Sequence, residues 1–409
     1  MIQLENPSPL PWRTAVAGCG TIAPMHIRAL AGLDRIELAG LADPDPQAAA
    51  AMADLWQKTA ADLTLPPPAC YRDINALLQE QQPDSVHICT PHHTHVPLAV
   101  AALAAGSHVL LEKPAGISLS DLEQLEQAEA ESGRQLGLCF QNRFNLASLQ
   151  AWLLIRAGLA GDLRSARGWV TWHRDAAYYQ QAAWRGRWAT EGGGVMINQA
   201  IHTLDLLIWL AGQPISVEGS ISTHALSSRI EVEDTAECHL MLDGHIPALF
   251  YATNAFGVDA PVSLDLYGTE LTIRLEADRL LLSDGQQRVL PDEETERLIR
   301  EARLRLTRRE LTAEEMFWLK AHDRQTAGHP MSPAVPDPAK AYWGLGHTRL
   351  IDAYYQSLWS SDADDTGRFP IGAVEGGRSL RTLLALYTSH REKRRITLGE
   401  TVRQSIQRG

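Results

Sequence analysis

The first third of the chain alternates short apolar runs with longer amphipathic or alanine-rich segments. Short apolar runs bounded by turn signals are typical of buried strands, and the segments between them are long enough for helices. The predicted strands are residues 14–17, 36–42, 85–89, 108–111 and 135–140. The predicted helices are residues 24–33, 46–57, 96–105 and 118–132, the last with a capping box opened by Ser118. This alternation predicts a doubly wound, mostly parallel sheet covered on both faces.

The pattern changes after about residue 143, where strand-like segments follow one another with few helices between them. The predicted strands are residues 166–172, 217–224, 235–242, 248–254 and 262–267. Such a succession favours a large, mainly antiparallel sheet that is open on one face or covered by a partner. The predicted α/β fold therefore has a doubly wound N-terminal domain, residues 1–142, and a C-terminal α/β domain, residues 143–409.

Some segments of the second domain do not follow its strand pattern. Residues 285–342 are charged and then proline-rich, and we interpret them as an inserted helix and loop. Within them, residues 293–320 alternate Glu and Arg, which favours a solvated helix with i,i+4 ion pairs, although this helix could also cover a cleft or a subunit contact. Residues 195–210 follow three glycines and are predicted as one helix, and residues 375–390 as a closing helix.

Composition restricts the functions that this chain can have. Its 409 residues suit two domains, and 45% hydrophobic with 21% charged residues is typical of globular proteins. A net charge of −12 argues against a nucleic-acid partner, which requires a basic surface. The five cysteines form no CxxC pair, so neither a disulfide framework nor a zinc site is expected. Because no signal-peptide pattern or membrane-spanning apolar run is visible, we expect a cytoplasmic protein without a membrane partner.

A glycine-containing loop follows the first predicted strand and opens the first predicted helix. It reads Gly18-Cys19-Gly20-Thr21-Ile22-Ala23. Gly18 permits a tight turn, Gly20 lets the backbone approach a pyrophosphate, and Ala23 allows close packing of helix and strand. The helix N-terminus offers unpaired N–H groups to phosphate oxygens. This context favours a Rossmann dinucleotide site over the alternative, a glycine-rich turn in another doubly wound domain.

Asp43 ends the second predicted strand and indicates which dinucleotide is bound. A carboxylate at this point accepts hydrogen bonds from ribose hydroxyls and repels a 2′-phosphate. We therefore predict NAD as the cofactor and regard NADP as disfavoured. The predicted cofactor contacts in this half of the site are Gly18, Cys19, Gly20, Thr21, Ile22 and Asp43.

Glu112-Lys113-Pro114, directly after the strand at residues 108–111, adds a second motif. With it the chain resembles the glucose–fructose oxidoreductase / inositol dehydrogenase / MocA (Gfo/Idh/MocA) family. Further similar blocks are Thr90-Pro91-His92-His93-Thr94-His95, Phe140-Gln141-Asn142-Arg143-Phe144, Trp184-Arg185-Gly186 leading into Gly192-Gly193-Gly194, and His202-x-x-Asp205. The resemblance implies a Rossmann domain and an α/β domain whose open sheet faces the cofactor and often forms the oligomer interface. We therefore expect a homodimer or homotetramer.

The resemblance also implies that Lys113 and His202 are catalytic. Lys113 follows a parallel strand at its carboxyl end, where its ammonium group could stabilise a developing alkoxide. A neutral His202 could accept the substrate proton, directly or through Lys113. The alternatives are a surface lysine ion-paired with Glu112 and a histidine satisfied within the core. Asn198 departs from the Asp that many family members carry; its amide can bind a sugar hydroxyl but cannot act as a base.

The remaining candidates are expected around the cleft between the two domains. The predicted cofactor contacts here are Thr90, Pro91, His92, His95, Glu112, Lys113, Gln141 and Arg185. The predicted substrate contacts are Asn198, Arg143, Tyr178, Tyr179, Trp184 and Asp205. Asp205 could orient the His202 imidazole or cap a partner group. Arg143 and Arg185 could bind a cofactor phosphate or a substrate carboxylate. The aromatic residues could stack on sugar faces or belong to the core.

Metal binding is not expected at these residues. Neither the histidines of residues 90–95 nor His202 with Asp205 are accompanied by a carboxylate cluster, so we predict no required metal and activity that survives chelators. The function that follows is an NAD-dependent oxidoreductase that transfers hydride at a secondary hydroxyl of a sugar, glycoside, cyclitol or sugar nucleotide. One alternative is a glycosidase-type enzyme in which bound NAD oxidises a sugar transiently to permit elimination. A non-catalytic NAD sensor is disfavoured because both Lys113 and His202 are present.

Overall fold

The computed structural model describes residues 11–60, 66–327, 341–359 and 368–399. The strands of its first sheet are β1 (Trp12–Ala17), β2 (Ile36–Ala42), β3 (Ala69–Tyr71), β4 (Ser85–Ile88), β5 (His108–Leu111) and β6 (Leu136–Leu138). They pair in parallel in the order β3-β2-β1-β4-β5-β6. The helices between them are α1 (Ala23–Ala31), α2 (Pro46–Thr59), α3 (Ile74–Gln81), α4 (His95–Ala104) and α5 (Leu119–Ser132). The predicted doubly wound sheet is confirmed; β3 and α3 are additions that the pattern did not predict.

The burial of this sheet explains why its strands form continuous apolar runs. Ala15, Val16 and Ala17 of β1 are at most 1% exposed, because helices cover both faces. α5 begins where it was predicted, since the Asp121 backbone N–H donates to Ser118 Oγ at 3.1 Å. The Asp121 carboxylate accepts from the backbone N–H of Ile117 rather than of Ser118, so the N-cap is confirmed and the reciprocal capping box is not.

A second sheet follows in the C-terminal domain. Its strands are β7 (Leu163–Thr171), β8 (Pro214–Ser222), β9 (Thr235–Leu242), β10 (Ile246–Thr253), β11 (Ser263–Gly268), β12 (Leu271–Glu276), β13 (Arg279–Asp284) and β14 (Ile396–Thr397). Their order is β13-β12-β11-β7-β10-β9-β8-β14. The β7–β10 pair is parallel and the other described pairs are antiparallel, which confirms the mainly antiparallel sheet.

Helices cover one face of this second sheet. The helices of this part of the chain are α6 (Leu146–Arg156), α7 (Ala176–Gln180), α8 (Val195–Asn198), α9 (Ile201–Ala211), α10 (Asp292–Thr307), α11 (Ala313–Thr326), α12 (Ala341–Trp359) and α13 (Ala373–Glu392). α9 packs on β7 and β11, and α13 packs on β8. The opposite face presents Trp169 and Leu249, which are 42% and 50% exposed, so the predicted open face is present. Within the described residues, no helix is both long and apolar enough to cross a bilayer.

The segment predicted as an inserted helix and loop contains two helices, α10 and α11, and both pack on α6. The exposed side of α10 carries the predicted i,i+4 ion pairs. Trp318 of α11, however, is fully buried, with its ring centroid 5.2 Å from that of Phe144 and 4.8 Å from that of Trp209. This segment therefore contributes to the core of the second domain. Residues 328–340, which include the predicted proline-rich loop, lie outside the described residues.

α12 returns to the first domain, although the predicted boundary assigns it to the second. It packs on α1. The Tyr355 hydroxyl lies 2.9 Å from both Thr14 Oγ1 and Ser85 Oγ, in strands β1 and β4. The boundary at residue 142 therefore separates the two sheets but does not separate the helices that cover them.

The run predicted as one helix at residues 195–210 is divided into α8 and α9. At the division, the Ala200 backbone N–H donates to the Val195 carbonyl, five residues back, so the regular i→i−4 pattern is interrupted. The Gln199 side chain is buried there and donates to the Tyr178 hydroxyl at 3.0 Å. The prediction of one continuous helix over residues 195–210 was therefore wrong.

Candidate active site

The loop between β1 and α1 leaves open space beside its backbone. Gly18 has φ +87°, and a Cβ on it would lie 2.6 Å from a carbonyl oxygen just after β4. A Cβ on Gly20, by contrast, would meet no described atom within 4 Å. Thr21 is exposed and Ile22 half-buried, whereas Ala23 is fully buried where α1 begins. A tight turn followed by accessible backbone at a helix N-terminus fits a dinucleotide pyrophosphate.

Asp43 lies beside this loop, directly after β2, and two backbone N–H groups orient its carboxylate. Oδ2 accepts from the Cys19 N–H and Oδ1 from the Asp45 N–H, each at 2.8 Å. A carboxylate has about four acceptor positions, so these bonds leave capacity for ribose hydroxyls. The residues of the first domain therefore fit an adenine dinucleotide.

The loop after β4 connects the first domain to the second. His95 lies between two carbonyl oxygens, those of Thr90 and Pro114, each 2.8 Å from a ring nitrogen. His92 Nδ1 donates to the Glu191 carbonyl at 2.8 Å. Both rings are buried, and burial lowers the pKa of each. A neutral imidazole donates to only one of these two carbonyl oxygens, so His95 links the loops through one hydrogen bond, and its predicted contact with the cofactor stays a prediction.

Glu112 turns into the protein interior. Its Oε1 lies 3.0 Å from His26 Nε2 and 3.2 Å from His347 Nε2, and Oε2 accepts from the Lys113 backbone N–H. Burial acts to raise the pKa of Glu112, but the hydrogen bonds with His26 and His347 outweigh it and hold that pKa well below its usual range. Both carboxylate oxygens of Glu112 are engaged within the protein and the residue is 5% exposed, so its predicted contact with the cofactor stays a prediction.

Glu112, His26 and His347 form a cluster that could hold a metal ion, and no other such cluster is found among the described residues. The ligand atoms of His26, Glu112 and His347 all lie within 4.8 Å of one another. The sequence prediction considered other histidines and missed this group. Its nitrogen–oxygen separations of 3.0 and 3.2 Å are those of direct hydrogen bonds. We therefore interpret the cluster as a hydrogen-bonded anchor for the backbone that carries Lys113, and the absence of a required metal stays a prediction.

The Lys113 ammonium group is directed at Asn198. Its Nζ lies 2.9 Å from the Asn198 backbone oxygen and 3.4 Å from Oδ1. Burial lowers the pKa of Lys113, while the charges of Glu112 and Glu191 act in the opposite direction. The alternative of a surface lysine paired with Glu112 does not apply, because the ammonium group extends toward the second domain.

Glu191 is a residue of this cluster that sequence reasoning missed. It is fully buried, and its Oε1 accepts from Asn198 Nδ2 at 2.6 Å while Oε2 accepts from the Gly186 backbone N–H. Burial raises the pKa of Glu191 to about 7. The available signal was an acidic residue directly before three glycines, where the prediction considered only the glycines.

His202 lies in the same region, and its own imidazole ring is neutral. It is 2% exposed, and its Nε2 lies 3.5 Å from Gln141 Nε2. Burial lowers the pKa of His202 well below its usual value, and the charge of Lys113 acts in the same direction. A neutral ring at pH 7 is the form that can accept a proton.

Arg143 and Asp205 face each other in the interior of the protein. They pair with each other through two hydrogen bonds of 2.7 Å, and each is at most 1% exposed. Each of the three guanidinium nitrogens of Arg143 already bonds a carboxylate oxygen of the protein, so its predicted contact with a phosphate or carboxylate of a ligand stays a prediction. Asp205 accepts from Arg143 and from Ser379, which favours the alternative that it caps a partner group over the alternative that it orients His202.

The two adjacent tyrosines have different environments. Tyr179 is 6% exposed and its hydroxyl accepts from Asn254 Nδ2 at 3.1 Å, which favours the core over sugar stacking, the two alternatives that the sequence left open. Tyr178 is half-buried, and its hydroxyl lies 3.5 Å from Asn198 Nδ2. Tyr178 therefore remains beside the Lys113–Asn198 contact.

Arg185 and Trp184 border the cluster on the same side. The Arg185 guanidinium carbon lies 4.3 Å from the centroid of the Tyr178 ring, and Nη1 donates to the Tyr178 carbonyl. Its buried Nε has no hydrogen-bond partner among the described residues, so it retains a donor for a ligand. The half-buried Trp184 ring packs on His92 with centroids 4.7 Å apart.

The structure thus brings predicted residues together around Lys113 and separates others from it. Those gathered in this region are Asn198, His202, Gln141, His92, Tyr178, Trp184 and Arg185. Thr90 and Pro91 are half-buried in the loop after β4. Those used inside the protein are Glu112, His95, Arg143, Asp205 and Tyr179.

Family models match both halves of the chain. The model described as an oxidoreductase family with NAD-binding Rossmann fold matches residues 12–140, and the GFO/IDH/MocA C-terminal domain matches residues 149–274. A similar curated protein is 1-carboxy-3-chloro-3,4-dihydroxycyclo hexa-1,5-diene dehydrogenase of Comamonas testosteroni, 29% identical over 54% of this chain and 52% of that protein. The D-glucoside 3-dehydrogenase of Escherichia coli is 26% identical over 50% of this chain and 55% of that protein. The chain therefore matches only about half the length of these relatives.

Solved structures extend the similarity over nearly the whole chain. The WlbA dehydrogenase from Bordetella pertussis, crystallised in complex with NADH and UDP-GlcNAcA, has 25% sequence identity and a TM-score of 0.72 over 95% of this chain and 98% of that chain. The two family models cover the first sheet and most of the second. From these matches, the chain belongs to the Gfo/Idh/MocA family of oxidoreductases with an NAD-binding Rossmann fold.

Proposed function

We propose that this chain is an NAD-dependent dehydrogenase that interconverts a secondary hydroxyl and a ketone on a sugar, glycoside, cyclitol or sugar nucleotide. One observation carries the proposal: the Lys113 ammonium group leaves the carboxyl end of β5 and is held at Asn198, in the same region as a neutral His202. Ligands of doubly wound sheets bind at this end of the strands.

The roles of the two central residues follow from their charge states. NAD, when bound, supplies the nicotinamide ring that accepts hydride. Lys113 donates a hydrogen bond to the reacting oxygen and stabilises its developing negative charge. His202 is neutral and accepts the hydroxyl proton, directly or through Lys113. Asn198 cannot act as a base, so proton transfer is assigned to these two residues.

The polar and aromatic groups around them suit a polyhydroxylated ring. Tyr178 and Trp184 are half-buried, and aromatic faces of this kind pack against the C–H faces of sugars. Arg185 retains a buried donor for a hydroxyl, carboxylate or phosphate. One similar protein is named a D-glucoside 3-dehydrogenase and another was crystallised in complex with UDP-GlcNAcA, which supports this substrate class.

NAD is preferred to NADP because Asp43 carries a fixed negative charge beside the dinucleotide loop. Its orientation by Cys19 and Asp45 keeps the charge at the end of β2. A 2′-phosphate there would be repelled, whereas ribose hydroxyls can donate to the carboxylate.

The test begins with mass spectrometry of the purified protein under mild and denaturing conditions, to detect NAD(H) that stays bound. Full-length protein is then supplied with NAD and a panel of sugars, glycosides, cyclitols and sugar nucleotides, and absorbance at the NADH wavelength is followed. We expect net NADH with at least one member of the panel. Cleavage of a glycosidic bond without net NADH would replace the proposal with the glycosidase-type alternative.

We also propose that the protein is a cytoplasmic homodimer or homotetramer assembled through the open face of the second sheet. Trp169 and Leu249 lie on that face, and an exposed apolar sheet surface is a common interface. The net charge of −12 supports the expectation that nucleic acid is not a partner.

A further inference from the structure

Glu191 is linked to Lys113 through Asn198, whose side-chain amide contacts both residues. The Glu191 carboxylate is fully buried and accepts from Asn198 Nδ2 at 2.6 Å on one oxygen and from the Gly186 backbone N–H on the other. No role was assigned to it by the catalytic motifs of the sequence. Its contact with Asn198 nevertheless leaves only that one side chain between Glu191 and the ammonium group of Lys113.

The direction of these hydrogen bonds fixes the Asn198 amide. Above its pKa of about 7, Glu191 is ionised and its carboxylate only accepts, so the nitrogen of the Asn198 amide must face Glu191. The amide oxygen then faces Lys113 Nζ, at 3.4 Å. In the reversed orientation the amide would direct its N–H groups at an ammonium group, and donor would face donor. Glu191 therefore determines that the oxygen of the Asn198 amide, and not its nitrogen, faces Lys113.

Glu191 also supplies a negative charge that acts on Lys113, whereas the Asn198 side chain between them is neutral. The charged groups that act on Glu191 are Arg185 and Lys113, and both oppose the effect of burial on its pKa. The hydroxyls of Tyr178, Tyr179 and Tyr387 are the other titratable groups that face it, from α7 and α13. Glu112 acts on Lys113 from the first domain. Glu191 is thus the carboxyl of the second domain that acts on Lys113.

We propose that Glu191 is a positioning residue for Lys113. It holds the side-chain oxygen of Asn198 toward the Lys113 ammonium group, and its own buried negative charge keeps that ammonium group protonated. The proposal deepens the proposed function and rests on it for the statement that Lys113 acts on substrate. The geometry itself depends only on contacts within the protein.

A pair of variants separates orientation and charge from simple loss of structure. In Glu191→Gln, a glutamine whose oxygen accepts from Gly186 presents its NH₂ to Asn198, so the Asn198 amide must reverse and the charge is lost. In the double variant Glu191→Gln/Asn198→Asp, the same glutamine donates to the carboxylate introduced at position 198, which then faces Lys113. Every hydrogen bond is satisfied again, and one negative charge returns beside the ammonium group.

Glu233→Gln is the matched control. Glu233 is also buried, and it accepts from the backbone N–H groups of Gly194 and Met196 in the same turn. The Tyr387 hydroxyl donates to it as well. The charge of Glu233 is not among those that act on Lys113. A variant that only loosens the glycine turn should therefore behave like this control.

The measurement is the pKa of Lys113 in the full-length protein saturated with NAD. Competitive labelling with acetic anhydride between pH 6 and 11, followed by mass spectrometry of the Lys113 peptide, gives this pKa without any substrate. We expect Glu191→Gln to lower the pKa of Lys113 by about one unit, because an opposite charge near an ammonium group is removed. The double variant should restore it, and Glu233→Gln should leave it unchanged.

An unchanged pKa of Lys113 in Glu191→Gln overturns the proposal, and so does an equal decrease in Glu233→Gln. Failure of the proposed function is seen separately, in the NADH assay with the substrate panel. If the labelling results are as expected and no substrate yields NADH, the positioning role stands and the dehydrogenase assignment fails. Where a substrate is found, the pH profile of kcat should shift to lower pH in Glu191→Gln and return in the double variant.

Discussion

Arg143 and Asp205 form a bidentate ion pair in the interior of the protein, with Nε–Oδ2 and Nη2–Oδ1 distances of 2.7 Å. Arg143 comes from the segment that leaves the first domain and Asp205 from α9 of the second. Glu375 and Ser379 of α13 add one contact to each partner. The pair therefore joins the domain crossing to two helices of the second domain, and we expect its role to be structural.

Replacing Asp205 should reduce stability rather than substrate affinity. Asp205→Ala leaves a buried guanidinium without its bidentate partner, and we expect the free energy of unfolding in urea to fall by about 3–5 kcal/mol. Glu375→Ala is the control, because that carboxylate is 16% exposed and makes one 3.1 Å contact with Arg143; we expect a loss of about 1 kcal/mol. A stable Asp205→Ala protein with a raised KM would instead return Asp205 to the substrate site.

Removal of either proposed catalytic group should abolish turnover and spare cofactor binding. Lys113→Met removes the charge that stabilises the reacting oxygen, and His202→Ala removes the proton acceptor. We expect kcat to fall by about 100- to 10,000-fold in each, the range for general acid–base groups. The affinity for NAD, measured by isothermal titration calorimetry, should stay within about threefold. Lys58→Met, an exposed lysine in α2, serves as the control. Near-normal rates in both variants would show that the chemistry is assigned to the wrong residues.

The charge of Asp43 should control the choice between NAD and NADP. In Asp43→Asn the repulsion of a 2′-phosphate is removed, and we expect the preference for NAD to fall by about tenfold, since nearby charges at a protein surface interact by on the order of 1–4 kcal/mol. Dissociation constants for both cofactors provide the measurement. Asp45→Asn changes a neighbouring carboxylate that caps α2 and should leave the preference as it was. An unaltered preference in Asp43→Asn would place the discrimination elsewhere.

Glu233 should make the protein more stable at mildly acidic pH than at neutral pH. Burial raises its pKa to about 7 from the value of 4.5 for an exposed carboxyl. Between these values the folded state binds more protons than the unfolded state, so the contribution of Glu233 to stability falls as pH rises, by about 1.4 kcal/mol per pH unit. Above pH 7 its contribution no longer changes.

The measurement for Glu233 is a difference between proteins, because buried histidines act in the opposite direction. Burial lowers the pKa of His202 below 6.5, so its contribution rises with pH up to that value. The free energy of unfolding of wild type minus that of Glu233→Gln cancels such terms, and we expect this difference to decrease from pH 5 to pH 7. Glu237→Gln, at an exposed carboxyl of β9, is the control. A difference that is flat over this range contradicts the raised pKa of Glu233.

A charge on the open sheet should dissociate the proposed oligomer. Leu249 is 50% exposed in β10, and Leu249→Asp would place a carboxylate within the interface. We expect light scattering after size-exclusion chromatography to give a smaller species than the wild-type protein. Val374→Asp, at a residue 60% exposed on α13, should leave the mass unchanged. If Leu249→Asp keeps the wild-type mass, another surface forms the assembly.

Local patterns predicted most of the first domain because each of its elements is set by nearby residues. The apolar run at β1, the turn at Gly18 and the cap at Ser118 act within a few positions of the chain, so the sequence reveals them directly. The division between α8 and α9 was not predicted, since the side chain of Gln199 is satisfied by the hydroxyl of Tyr178 and not by a neighbour in the helix. Periodicity carries no information about such a partner.

The sequence by itself determined the two sheets, the dinucleotide loop with Asp43, and the candidates Lys113 and His202. The tertiary structure alone decided which polar groups meet. Arg143 and Asp205 are 62 positions apart, and Lys113 and Asn198 are 85 positions apart, so their contacts depend on the tertiary fold and not on neighbours in the chain. Burial then makes each contact obligatory, because a charged or polar group without water must find a partner. For that reason Arg143 and Asp205 bond to each other in the core, and Glu191 bonds to Asn198.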